Sequence, residues 1–222
     1  QDSDGAQYLV SNNHVIGREN SARTGNAVVQ PGTLDLTQTE LNLMNTLNKL
    51  RKELQIAKVS AVVDMDFNGN PNEVDTAMAQ FTGERDLTQL GRIGFGGRVQ
   101  GIAAPYTLDA NGAIVGETRV YKAGRTTGWT EGNLTAIAVS SPVGYSKGTA
   151  LFRNQLAITP TPDTDGPFSN KGDSGSGIID TNNNLVGLLF AGSTSRTLAN
   201  PIDLVMSALT AELGKGPLTL IT

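Results

Sequence analysis

Lys171-Gly172-Asp173-Ser174-Gly175-Ser176-Gly177 sets a serine inside a run of glycines. A serine hydroxyl is a poor nucleophile until a base removes its proton. Glycines allow the tight turn that exposes it, and amides of such a turn can hold the negative charge of a hydrolytic intermediate. Alone, the string also fits an ordinary glycine turn. Its weight depends on whether the rest of the chain supplies a base and a group to orient that base.

The base is constrained by a count. The 222 residues include one histidine, His14, within Leu9-Val10-Ser11-Asn12-Asn13-His14-Val15. Any step that needs an imidazole must use it, and a multi-histidine metal site is excluded. Residues 7–11 predict a strand, so His14 falls in a turn at its end. Between His14 and Ser174, the carboxylate candidates are Asp64, Asp66, Asp75 and Asp86. Asp75 begins the otherwise apolar stretch Val74-Asp75-Thr76-Ala77-Met78-Ala79, where an unpaired buried carboxylate would be costly. Asp64 and Asp66 adjoin the turn Asn68-Gly69-Asn70-Pro71-Asn72 and fit surface acids. The chain order His, Asp, Ser is that of chymotrypsin; α/β-hydrolases and subtilisins run in other orders. A hydrolase nucleophile elbow also needs glycine two residues after the nucleophile, where Ser176 stands.

Composition narrows the rest. There is no cysteine, hence no disulfide framework and no thiolate chemistry. The formal charge is −4, from 17 basic and 21 acidic residues, with no basic block to suggest a nucleic-acid partner. The longest apolar stretches, such as 185–191, are too short to span a bilayer.

Short strand signals punctuated by Gly and Asn turns dominate. Strands are predicted over 26–30, 58–64, 74–81, 118–122, 133–139, 150–158, 176–180 and 185–191. Residues 91–113, rich in Gly and Ala, predict a connector. Two segments differ. Over 37–54, Leu43, Leu47, Leu50 and Leu54 fall on one helical face. Residues 201–213 predict a closing helix, with Pro201 in its first turn and Gly214 at its end.

Taken together, the chain resembles bacterial trypsin-like serine peptidases. The matching pieces are Tyr8-Leu9-Val10-Ser11-Asn12-Asn13-His14-Val15, Gln30-Pro31-Gly32, Glu73-Val74-Asp75-Thr76-Ala77 and Gly124-Arg125-Thr126-Thr127-Gly128. They continue through Gly172-Asp173-Ser174-Gly175-Ser176, Phe190-Ala191-Gly192-Ser193 and Ala199-Asn200-Pro201-Ile202. The resemblance implies a mainly β fold of two chymotrypsin-like six-stranded β-barrels. The first barrel, incomplete in this chain, lies in residues 1–100 and carries His14, Asp75 and the helical insertion 37–54. The second lies in 114–222, carries Ser174 and ends in the terminal helix.

It further implies a serine endopeptidase with His14 as general base, Asp75 as its orienting partner and Ser174 as nucleophile. The oxyanion hole would be the amides of Gly172 and Ser174. Phe190, Ala191 and Gly192 would pair with the backbone of a polypeptide substrate. Phe168 would mark the base of the primary pocket, where the lack of an acid disfavours Lys or Arg in the substrate. No cofactor and no metal is implied. The helix at 37–54 departs from the family, and its apolar stripe should pack on its own half or on a partner. A catalytically silent binding module and an esterase of the same fold are the competing functions.

Activity should rise with pH as the single imidazole loses its proton. Only 13 residues precede His14, so part of the first barrel is expected from an upstream segment of the precursor that processing separates from this chain. On the same count, Asp173 should be satisfied locally and not by a new N-terminus.

Overall fold

The computed structural model describes residues 1–30, 32, 35–47, 54–82, 97–104, 106–116, 118–162 and 166–222. The N-terminal half runs β1 (Tyr8–Ser11), one π-helical turn (Asn13–Gly17), β2 (Ala27–Val29), α1 (Gln38–Leu47), β3 (Gln55–Val62), β4 (Pro71–Asn72) and β5 (Ala77–Phe81). Three two-residue strands follow: β6 (Gly101–Ile102), β7 (Thr107–Leu108) and β8 (Ile114–Val115). The C-terminal half comprises β9 (Arg119–Gly124), β10 (Gly128–Tyr145), β11 (Gly148–Pro160), β12 (Gly177–Asp180), β13 (Asn184–Gly192), β14 (Thr197–Pro201) and α2 (Ile202–Leu213).

The first sheet is antiparallel, in the order β1-β5-β3-β2. Along β3, Ala57, Val59 and Ala61 are buried while Lys58 and Ser60 are not. That period of two gives the strand one core face. The second sheet runs β10-β9-β12-β13-β14-β11 and closes on itself where β10 pairs β11. β13 lies between β12 and β14, and its run from Val186 to Phe190 is buried throughout. A strand covered on both faces carries such a continuous apolar run.

Helix α2 joins the halves. Its buried Ile202, Val205 and Leu209 share one cluster with Ala61, Val74 and Met78 of the first half and Leu188 of β13. Gly214 ends it in the left-handed conformation, φ +67°, with its N–H on the Thr210 carbonyl. Pro201 is the last residue of β14 and caps α2 from outside the first turn, one step earlier than expected. Its extended backbone, ψ 136°, closes the strand before the helix starts.

The other tie is the β10–β11 hairpin, with strands of 18 and 13 residues. Register breaks accompany left-handed Ala138 and Asn154. Bulges of this kind bend and twist a long ribbon. β4 adds to β11 in parallel, and Asn72 Nδ2 donates to the Leu151 carbonyl at 3.1 Å. The Glu73 carboxylate takes Arg153 Nε at 2.5 Å and Asn154 Nδ2 at 2.9 Å. The segment leading to Asp75 is therefore fastened to the C-terminal half.

Several local expectations change. Of the helix at 37–54, α1 accounts for Gln38–Leu47, and residues 48–53 lie outside the described residues. Thr37 and Glu40 form a reciprocal cap at its start, with Thr37 N donating to Glu40 Oε2 at 2.8 Å. The connector at 91–113 carries β6 and β7 over its described part, because β6 pairs with the start of β13. Asp75 does not begin a strand. β5 starts at Ala77, since the Asp75 backbone is bonded to asparagine side chains instead of a neighbouring strand. Among the described residues, no helix is long and apolar enough to cross a membrane.

Candidate active site

The histidine turn is held under tension. After the π-helical turn, Arg18, Glu19 and Asn20 take left-handed φ values of 54°, 51° and 65°. For Arg18 and Glu19 this costs about 1–2 kcal/mol each, while asparagine adopts it more readily. Two asparagines hold the run. Asn13 Nδ2 donates to Asn20 Oδ1 at 2.6 Å, and Asn20 N donates to Asn13 Oδ1 at 2.9 Å. Asn20 also bonds Met65 through both ends of its amide.

Asp75 is wholly buried, and its carboxylate is engaged on both oxygens. Oδ1 accepts the His14 backbone N–H at 3.1 Å. Oδ2 lies 2.6 Å from His14 Nδ1 and accepts the Tyr145 hydroxyl at 2.8 Å. The Asp75 backbone is gripped from both halves. Its N–H goes to Asn200 Oδ1 at 3.0 Å, and its carbonyl accepts Asn12 Nδ2 at 2.9 Å. A carboxylate accepting at Nδ1 keeps the ring proton there and makes Nε2 the basic atom. Of the other candidate acids, Asp64 is exposed, and Asp66 closes its own turn by accepting the N–H groups of Asn68 and Asn70. Asp86 lies outside the described residues.

Ser174 sits in a turn that requires its glycines. Gly172 has φ +103° and Gly175 φ +89°. A Cβ at Gly172 would collide with Thr126 Oγ1, and one at Gly175 with Ser11 Oγ. The amides of Asp173, Gly175 and Ser176 donate to the carbonyls of Asn170, Leu189 and Asp173. Those of Gly172 and Ser174 have no acceptor among the described residues.

Asp173, buried beneath the turn, is satisfied locally, as expected. Its Oδ1 accepts Thr126 N at 2.7 Å and Thr127 N at 3.2 Å. Its Oδ2 accepts Thr127 Oγ1 at 2.7 Å and Asn170 N at 2.9 Å. Lys122, also fully buried, brings Nζ to 3.5 Å from Oδ2 and donates to Thr127 Oγ1 and the Gly128 carbonyl. Burial alone would raise the Asp173 carboxyl, but these donors outweigh it and hold it below its usual range. Burial lowers the Lys122 ammonium, against the pull of Asp173.

A group whose carboxyl is lowered by folding stabilises the fold above its unfolded pKa and loses that contribution as pH falls through its folded value. Asp173 and Glu73 both behave this way. The thermal midpoint should therefore hold above about pH 5 and fall progressively below about pH 4. A midpoint unchanged down to about pH 2 would contradict the sign.

His14 and Ser174 line one cleft of roughly 860 Å³. One wall is the hairpin tip, with Tyr145 and Ser146; the other is Phe190, Ala191 and Gly192. Past Leu189, β13 pairs with β14 on one side only, so its other edge opens on the cleft. Phe168 is elsewhere. Its side chain is buried with Val120, Leu134 and Ile158, and its neighbour Ser169 lines the cleft, bonded to Thr197 Oγ1 at 2.6 Å. The ring is worth more in the core, where burying a phenylalanine stabilises by about 1.5–3 kcal/mol.

Three residues of the site had no assigned role in the sequence. Asn200 stood inside a quoted motif without a task. Lys122 left a trace, a cation two residues from buried Val120 and so on the same inward face of β9. Tyr145 left none, because its partner is 70 positions away.

No family model matches the chain, and no curated protein matches it. Solved structures do. Nocardiopsis protease aligns with a TM-score of 0.56 at 19% identity, over 95% of this chain and 86% of its own. Thermobifida fusca protease A gives 0.54 at 19%, over 97% and 87%. Cellulomonas bogoriensis chymotrypsin gives 0.53 at 22%, over 95% and 85%. The chain thus has the mainly β fold of chymotrypsin-like serine proteases.

Proposed function

We propose that this chain is a serine endopeptidase in which Ser174, His14 and Asp75 act as nucleophile, base and orienting carboxylate. The observation that carries it is the buried Asp75 carboxylate, 2.6 Å from His14 Nδ1, beside a cleft that His14 shares with Ser174. Nε2 of His14 takes the hydroxyl proton as Ser174 Oγ bonds to the scissile carbonyl carbon. The amides of Gly172 and Ser174 receive the oxyanion. The peptide C–N bond then breaks, His14 returns the proton to the leaving amine, and water cleaves the acyl ester by the same route.

The catalytic residues come from two halves, 1–100 and 114–222. The substrate backbone adds as a strand along Phe190, Ala191 and Gly192, a mode suited to an open sheet edge. A small or apolar side chain fills the primary pocket. In support, the one carboxylate among the described cleft residues, Glu19, is occupied by Ser146 and Lys147.

A fluorophosphonate probe is expected to label the wild-type chain and not Ser174→Ala. Profiling on a mixed peptide library should show cleavage at internal bonds. Labelling without peptide cleavage, but with turnover of simple esters, would make it an esterase. No labelling would make it a silent module of the same fold.

A further inference from the structure

We infer that Tyr145 is a positioning residue for the reaction, holding the Asp75 carboxylate and the His14 ring from the tip of a hairpin in the opposite half. The inference rests on the roles proposed above for Ser174, His14 and Asp75.

The geometry is specific. Asp75 Oδ2 accepts from His14 Nδ1 and from the Tyr145 hydroxyl, at 2.6 Å and 2.8 Å. The two donors fix the carboxylate plane between them. The Tyr145 ring also packs on the His14 ring, at 5.6 Å between centroids and 57° between planes. Behind it stand Phe67 at 5.9 Å, edge-on, and Phe152 at 6.2 Å. A ring packed on three sides holds its hydroxyl in place with little freedom to lose. Burial, and then the Asp75 charge, push that hydroxyl far up, so it stays a donor.

The hairpin tip is itself fastened to the histidine turn. The Glu19 carboxylate accepts Ser146 N at 3.1 Å, Ser146 Oγ at 2.6 Å and Lys147 N at 3.0 Å. Lys147 Nζ donates to the Glu19 carbonyl. Glu19 reaches the tip because it sits in the left-handed run after His14. That run therefore has a use that repays its strain. The hairpin leaves the C-terminal half and is fastened to the N-terminal half at its tip, through Tyr145 on Asp75 and through Ser146 and Lys147 on Glu19.

The consequence is chemical as well as geometric. A second donor on Oδ2 takes part of the charge that the imidazolium would otherwise feel. Removing it leaves a more basic carboxylate, which favours the protonated ring. The charged and titratable groups facing His14 are Asp75 before β5, Glu19 in its own turn and Tyr145 at the hairpin tip, with Lys147 bonded to the Glu19 carbonyl behind them. Lys171 and Arg196 line the cleft further off.

Tyr145→Phe keeps the ring and deletes the hydroxyl. It is expected to lower kcat by on the order of 10- to 100-fold with little change in KM. The acidic limb of its kcat/KM profile should move to higher pH. Since His14 is the only histidine, its Cε1–H resonance titrates alone in an NMR spectrum, and the same upward move should appear there without turnover. Placing 3,5-difluorotyrosine at position 145 keeps the shape and strengthens the donor, so it should move the limb downward. This second variant decides the question if Tyr145→Phe does not fold. Fluorophosphonate labelling of the wild type separates the two levels. A labelled wild type whose variants keep its kcat and its His14 titration would overturn the role of Tyr145 alone. An unlabelled wild type would overturn the proposed reaction and this inference with it.

Discussion

Turnover of a peptide substrate is expected to fall by about 10⁴ to 10⁶ when Ser174 is replaced by alanine, and by a similar factor for His14→Ala. The two losses should not multiply in the double variant if, as proposed, Ser174 and His14 act in one step. Neither change should unfold the chain, since Ser174 and His14 are both partly exposed at the cleft. Asp75→Asn is different. It is expected to slow turnover by about 10⁴, because an amide at Oδ2 presents a donor to Nδ1 and favours the wrong tautomer. It also meets the Tyr145 hydroxyl and the His14 amide, so a modest loss of thermal midpoint should accompany it. Circular dichroism on each variant separates lost chemistry from lost fold. Near-normal turnover in a folded Ser174→Ala or His14→Ala would remove the mechanism.

Lys122→Met is expected to have the largest effect on stability. Lys122 and Asp173 are both buried, so removing the ammonium strands a carboxylate in the interior. Breaking such a pair costs about 3–5 kcal/mol. The lower end applies here, because the amides of Thr126, Thr127 and Asn170 still solvate Asp173. For a chain of this size, about 3 kcal/mol corresponds to a drop of about 6–12 °C in thermal midpoint. Activity should fall as well, since Asp173 ties the Ser174 turn to the 126–127 loop. The double variant Lys122→Met with Asp173→Asn should lose less than the sum of the two singles, because no charge is left unpaired. An unchanged midpoint in Lys122→Met would show that the cation contributes nothing there.

How much of this was legible beforehand follows the range of each interaction. The strands of the C-terminal half were plain, because alternation and apolar runs are local patterns with a period of two. Their lengths were not. β10 extends from Gly128 to Tyr145, a length set by its pairing first with β9 and then with β11 and not by any local pattern. The strand expected from residue 74 starts three residues later, at Ala77, because side chains of Asn12 and Asn200 captured the Asp75 backbone that propensity alone would assign to the ladder. The family resemblance puts Phe168 at the base of a pocket, yet its side chain is buried with Val120, Leu134 and Ile158. Its ring turned to the core because Gly132 leaves no Cβ in the space the ring occupies.

The available chemistry was legible in the residues themselves: one histidine, no cysteine, and a serine in a Gly-Asp-Ser-Gly string suited to a tight turn. The sequence also singled out Asp75, through the cost of leaving a carboxylate alone in an apolar stretch. What supports these residues comes from contacts between distant parts of the chain. Tyr145 meets Asp75 across 70 positions, Asn200 across 125, and Glu19 meets Ser146 across 127. Contacts of that separation leave no periodic trace in a single chain, because neither partner changes the local propensity of its own strand or turn. They exist only once the hairpin of one half has closed over the histidine turn of the other.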